Sequence, residues 1–455
     1  MTQRHVHEPF VFAALAIALT AGFGYAVIIV FVLAFRLPMG AWWLAMAQAH
    51  GHAQLFGWAG LFVIGVGLFF LPRLRGTTLA RIELAPWSLG CWVVGITLRA
   101  LCQPLTAIAQ ASMPQASLYD ALGRFGTMVS GIVEVIGVAL FITMIVSSFR
   151  RARPLSADAP IKPVRPYLVL AMTSLVVATL LNATLGVSSA LSDSSIFPSA
   201  VDDALTHLMI YGFILPLAIA LSVRNLPLFM RLATPPKQSL FPLFVIYVVG
   251  VTCRTIGFLE HGFWLPNLGA ILESGVLLVF IWQLDVVLRR KTPWTATRTT
   301  PPDNYIEMRH PTRKNYPDHG EFGRFELLII SAFAWLAFAN IIAIIDGASP
   351  LLGNPAPFNP DIERHAITVG FITLLIFGMA VRMLPGFSSK SRVASARLVM
   401  ATFWLGNLAA LFRVLPLFAP DLAGMNVALG ISGAIGWLAV MCLAINLYRT
   451  FKLIQ

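Results

Sequence analysis

The sequence predicts an all-α polytopic membrane protein: twelve transmembrane helices in three quasi-equivalent four-helix units. Three observations carry this reading. The chain of 455 residues is 58% apolar and only 11% charged, which no soluble domain of this size sustains. Apolar runs of about twenty residues recur along its whole length, each long enough to span a bilayer. A spaced pattern of His, Gly, Pro and Arg recurs three times.

The runs lie at approximately 10–35, 43–71, 84–105, 122–148, 166–189, 203–223, 239–260, 264–287, 325–346, 363–381, 395–416 and 424–447. They are too long for barrel strands and lack two-residue alternation, so they read as helices. The first follows Arg4 and Glu8 with no small-residue cleavage site before Arg36, and reads as a retained span. Basic residues gather in alternate connections: Arg73, Arg75 and Arg81; Arg150 to Arg165; Arg224, Arg231 and Lys237; 289–324; Arg382 to Arg397; Arg449 and Lys452. The intervening connections carry Asp120, Asp193, Asp202, Asp203, Glu260, Asp346, Asp361, Glu363 and Asp421. This positive-inside pattern predicts an even number of spans with both termini cytoplasmic. It also accounts for the net charge of +12, which therefore does not indicate nucleic acid. The expected partner is the lipid bilayer. Residues 289–324 form the one long polar linker. Cys91, Cys102, Cys253 and Cys442 all fall inside spans without metal-ligand spacing and read as small buried apolar residues.

His52 is followed by a Gly five residues on and a Pro twenty on (Gly57, Pro72). His207 has Gly212 and Pro227 at the same spacings, and His365 has Gly370 and Pro385. Arg99, Arg254 and Arg413 follow those prolines by 27, 27 and 28 residues. Glu134 and Glu273 sit at related depths in the next span, where the third copy has Ser432. The units are approximately 1–150, 151–290 and 325–455, all in one orientation, unlike inverted-repeat transporters. A transporter with His and Arg lining an anion path stays open as an alternative. Three imidazoles at one depth favour metal or haem ligation over isolated interhelical hydrogen bonds. The bland account of the arginines is pairing within each unit, Arg99 with Glu134 and Arg254 with Glu273; Arg413 has no such Glu. His50 lies two residues before His52, on another helix face, and reads as an interfacial or supporting residue. Trp42, Trp43, Trp58, Trp87, Trp92, Trp264, Trp404 and Trp437 read mainly as interfacial anchors. Gly57, Gly60, Gly65 and Gly67 suit either a macrocycle or helix packing, the commoner use.

Twelve spans in three arcs, with histidines on spans two, six and ten, resemble the catalytic subunit of haem–copper oxidases and nitric oxide reductases. Within that group "HGHAQLFGWAG", residues 50–60, is similar to the His-x-His signature of the NnrS family, twelve-span bacterial membrane proteins that bind haem and copper and are associated with nitric oxide resistance. The resemblance implies a b-type haem clamped by His52 and His365. It implies Arg413 as propionate partner, with Arg99 and Arg254 behind it. It implies His207 as a copper ligand near Tyr211, with copper or non-haem iron completed by Glu260 and His261. Two departures stand out. Glu260-His261 replaces a His-His pair, and Glu363 stands where the oxidases place the high-spin haem ligand. The expected function is nitric oxide metabolism or tolerance, fed by quinol or a cytochrome. A divergent reductase is the enzymatic alternative, with the standard oxygen-reducing centre incomplete.

Overall fold

The protein is described by a computed structural model covering residues 3, 5–112, 117–156, 159, 161–192, 194–260, 262–291 and 318–453. Among these residues all regular structure is helical. Twelve helices are long and apolar enough to cross a membrane: α1 (His7–Ala34), α2 (Ala41–Leu74), α3 (Ile82–Ala111), α4 (Leu118–Arg151), α5 (Lys162–Leu191), α6 (Ser199–Met230), α7 (Lys237–Glu260), α8 (Trp264–Leu284), α9 (Phe325–Leu351), α10 (Pro360–Phe387), α11 (Ala396–Leu417) and α12 (Met425–Phe451). Each coincides with one of the twelve runs.

Helices α2, α6 and α10 run past their predicted ends because Pro72, Pro227 and Pro385 lie inside the last turns instead of stopping them. A proline removes one backbone donor and frees a carbonyl. Near Pro72 the Arg73 Nη1 donates to the Phe69 carbonyl at 2.6 Å, which helps the helix continue.

These three helices form the centre. Their apolar windows are 83%, 78% and 72% buried, against 28–56% for the other nine. The outer helices pack in sequence, and α12 closes onto α1. Outward-facing Leu101, Leu105, Phe125, Phe241 and Trp282 are exposed, as a lipid-facing surface requires. Trp87, Trp264 and Trp404 are exposed too and suit the anchoring role, whereas Trp58 and Trp92 are core residues. Their indole N–H groups donate to Thr373 and to the Phe56 carbonyl. The span-two glycines serve packing: a Cβ on Gly57 would stand 2.5 Å from Ile17, and one on Gly65 2.5 Å from Phe10. The four cysteines are free and partly buried.

Both chain ends meet at the basic end of the bundle. Arg73 donates to the Gln3 carbonyl, His7 contacts Ser388, and Ala394 N–H donates to Thr450. An even number of spans produces this arrangement.

Candidate functional site

Each central helix changes its winding immediately after its repeat histidine. Wide, π-helical turns run over Ala53–Leu61, Leu208–Ile214 and Ala366–Thr373, directly following His52, His207 and His365. Such turns are rare and cluster at functional positions. A further one, Ala18–Gly22, lies in α1.

A cavity of roughly 400 Å³ opens between α1, α2, α6, α10, α11 and α12, with Arg99 of α3 at its edge. That is within the usual range for cofactor sites. His50, His52, Arg99, His365, Arg413 and Ser432 all border it. The two outer imidazoles are held alike. His50 Nδ1 lies 2.9 Å from the Gly22 carbonyl, and His365 Nδ1 lies 2.9 Å from the Asp361 carbonyl. A carbonyl only accepts, so both rings carry their proton on Nδ1 and keep a lone pair on Nε2. An N–H to a backbone carbonyl is also the usual support behind a metal-bound imidazole.

His52, which the resemblance pairs with His365, is held differently. Its Nδ1 accepts from Arg99 Nη1 at 2.9 Å. Its Nε2 then carries the proton and donates to Glu134 Oε1 at 2.9 Å. Neither ring nitrogen retains a lone pair for a metal. His50, read from sequence as a supporting residue, has the free nitrogen instead. The reason is helical geometry. Equivalent residues of three repeats face three equivalent gaps, not one shared gap. Residues two apart turn about 200° and face opposite neighbours. His52 therefore faces its own unit's Glu134, as His207 faces Glu273, while His50 faces back toward α10–α12.

The arginines divide likewise. Arg413 is buried; its Nη2 reaches Asp361 at 3.2 Å, while Nε and Nη1 have no hydrogen-bond partner. Two orphaned donors on a buried guanidinium beside the cavity fit a carboxylate-bearing ligand. Arg99 borders the cavity but is spent on His52, Gln103 and Asn182, with Asp202 at 3.8 Å. It meets Glu134 only through His52 and Asn182, whose Nδ2 donates to Glu134 at 3.1 Å. Arg254 lies in another gap altogether and lines no part of this cavity.

In that second gap, Arg254 Nη1 pairs with Glu273 at 2.7 Å, as the sequence led us to expect, and Nη2 pairs with Glu363 at 2.8 Å. Tyr211 donates to Glu363 at 2.5 Å, and Tyr247 donates to the Tyr211 carbonyl at 2.6 Å. His207 stacks on Tyr211, and its Nε2 faces Glu273 Oε2 at 3.4 Å outside hydrogen-bond geometry. Glu260 is exposed at the end of α7 and is not brought to His207. His261 lies outside the described residues. No group of three or more His, Cys, Asp or Glu side chains with metal-site geometry occurs among the described residues. The donors bordering the first gap suit a haem, which His50, His365 and Arg413 would hold. Among the described residues, the donors of the second gap do not make a shell for the copper or second haem that the resemblance implies.

The fold is that of the haem–copper oxidase catalytic subunit. A solved haem–copper terminal oxidase dimer superposes with a TM-score of 0.68 over 100% of this chain and 85% of its own, at 12% identity. The NnrS protein family model matches residues 321–453, from the end of the linker through α12, so the segment with His365 and Arg413 is similar to that family. No curated protein sequence matches the chain.

Replacing Arg413 by Leu tests the carboxylate assignment. The expected result is weaker haem retention, on the order of tenfold for one lost charge-assisted hydrogen bond. It is read as haem released to an apo-myoglobin trap. Unaltered release would separate Arg413 from the ligand.

Proposed function

We propose that this protein is a membrane haem carrier of the NnrS type, acting in nitric oxide metabolism or tolerance. One b-type haem is held between His50 and His365 near the acidic end of the bundle. The observation that carries this is the pair of imidazoles bordering one cavity, each with Nδ1 fixed by a carbonyl and Nε2 free. Held by two imidazoles, such a haem would supply one-electron transfer chemistry. The chain's own contribution is to hold both rings neutral and oriented, and to meet a carboxylate with Arg413. The acidic end reads as the periplasmic face of a bacterial inner membrane, with both termini cytoplasmic. Quinol or a cytochrome is the fitting class of electron donor.

The test is the optical spectrum of the purified chain, with a parallel measurement of nitric oxide sensitivity in cells lacking it. A low-spin six-coordinate haem at one per chain and increased sensitivity are expected. A folded, haem-supplied protein without haem would overturn the cofactor, and unchanged sensitivity would overturn the nitric oxide role.

A further inference from the structure

We infer that the second gap, where this fold family places its second metal, takes the Arg254 guanidinium as its resident cation and is closed to a metal ion. The arrangement of charges carries this. Glu363 binds Arg254 through both oxygens, Oε1 to Nη1 at 2.9 Å and Oε2 to Nη2 at 2.8 Å. Glu273 Oε1 takes Nη1 from the other side at 2.7 Å. Both carboxylates are buried, and Tyr211 caps the remaining face of Glu363. A planar guanidinium with donors in a fixed fork suits two carboxylates converging from different helices.

The repeat explains how this cation arrived. Glu363 stands two residues before His365, as His50 stands two before His52, so each faces back into the preceding gap. In the first gap that position supplies an imidazole with a free nitrogen. In the second it supplies a carboxylate, and the carboxylate recruits Arg254. Among the described residues of this gap, only His207 Nε2 and Glu273 Oε2 remain without hydrogen bonds. They stand 3.4 Å apart, near the roughly 3.3 Å expected of two donors on one tetrahedral ion. Two donors are half a shell, however, and a fixed positive charge already holds the same carboxylate. Removing that charge would leave His207, Glu273 and Glu363, one imidazole and two carboxylates, a donor set that divalent transition metals accept.

The experiment loads the full-length purified protein with Co(II) or Cu(II), desalts it, and counts metal per chain by elemental analysis, with Co(II) absorption as a second readout. The count is independent of haem content, so it stands or falls apart from the haem assignment. Wild type is expected to keep no second transition metal. Arg254→Ala is expected to hold one per chain, lost again when His207→Ala is added. Arg254→Lys, which keeps the charge, is expected to fold and behave as wild type, so the wild-type and lysine proteins decide the matter if the alanine variant does not fold. One metal per wild-type chain, lost on His207→Ala, would overturn the inference. So would a folded Arg254→Ala protein that binds none.

Discussion

Replacing either His50 or His365 by Ala is expected to abolish the low-spin haem spectrum, whereas His52→Ala should leave it in whatever protein folds. Neutral imidazole donates through a lone pair, and among the histidines bordering the cavity His50 and His365 keep one, on Nε2. His52 accepts from Arg99 and donates to Glu134, which exhausts both nitrogens. With either proposed ligand replaced by alanine, a retained haem would lose one imidazole, and its spectrum is expected to shift and to respond to carbon monoxide when reduced. The third unit also explains why His365 is free while His52 and His207 face carboxylates. Ser432 stands where a glutamate would complete the triad, and its hydroxyl turns back to the Leu429 carbonyl at 2.7 Å. Ser432→Glu should therefore place a carboxylate at the cavity wall and lower haem occupancy. Loss of the six-coordinate spectrum in His52→Ala but not in His50→Ala would reverse the assignment.

The second large effect is on stability, from the network around His52. Arg99→Ala or Glu134→Ala is expected to cost about 3–5 kcal/mol, because each strands an uncompensated buried charge. Arg99 and Glu134 are 1% and 0% exposed, so both charges are desolvated. Glu134→Gln keeps an acceptor for the His52 N–H and should cost less. Arg290→Ala is the control: Arg290 pairs with Asp285 at 3.0 Å, but its side chain is 38% exposed, and the buried Asp285 keeps the Lys291 backbone N–H at 2.8 Å. Its loss should stay within about 1 kcal/mol. Thermal inactivation in detergent measures the series, and equal losses for Arg99 and Arg290 would remove the network from the account. The network joins α2, α3, α4 and α5, so its loss should loosen the contact between the first two units.

What the sequence determined by itself is whatever depends on composition and periodicity. Twelve spans follow from apolar length, because a bilayer leaves the backbone no alternative to internal hydrogen bonding. The chain ends sharing one face follow from an even count of spans. The threefold recurrence of His, Gly, Pro and Arg identified the three central helices and the depth of the site. The pairing of Arg254 with Glu273 was legible too, since both belong to one unit.

What only the tertiary structure decided is which residues of different units meet. Spacing along the chain marks His52, His207 and His365 as equivalent. Equivalence under a rotational repeat places them in separate gaps, and the residue two positions earlier crosses into the neighbour's gap. A signal was present in the sequence: His50 and Glu363 both precede their histidines by two. It could not be used without knowing that α12 closes onto α1 and brings the third unit against the first. Nor could it be read that Glu363 would meet Arg254, 109 residues away. Charge pairing across units depends on helix rotation, set by packing such as Gly57 against Ile17 and Gly433 against the α1 backbone. Those contacts fix which face of each central helix looks into which gap, and therefore which imidazoles keep a lone pair and which give it up to arginine.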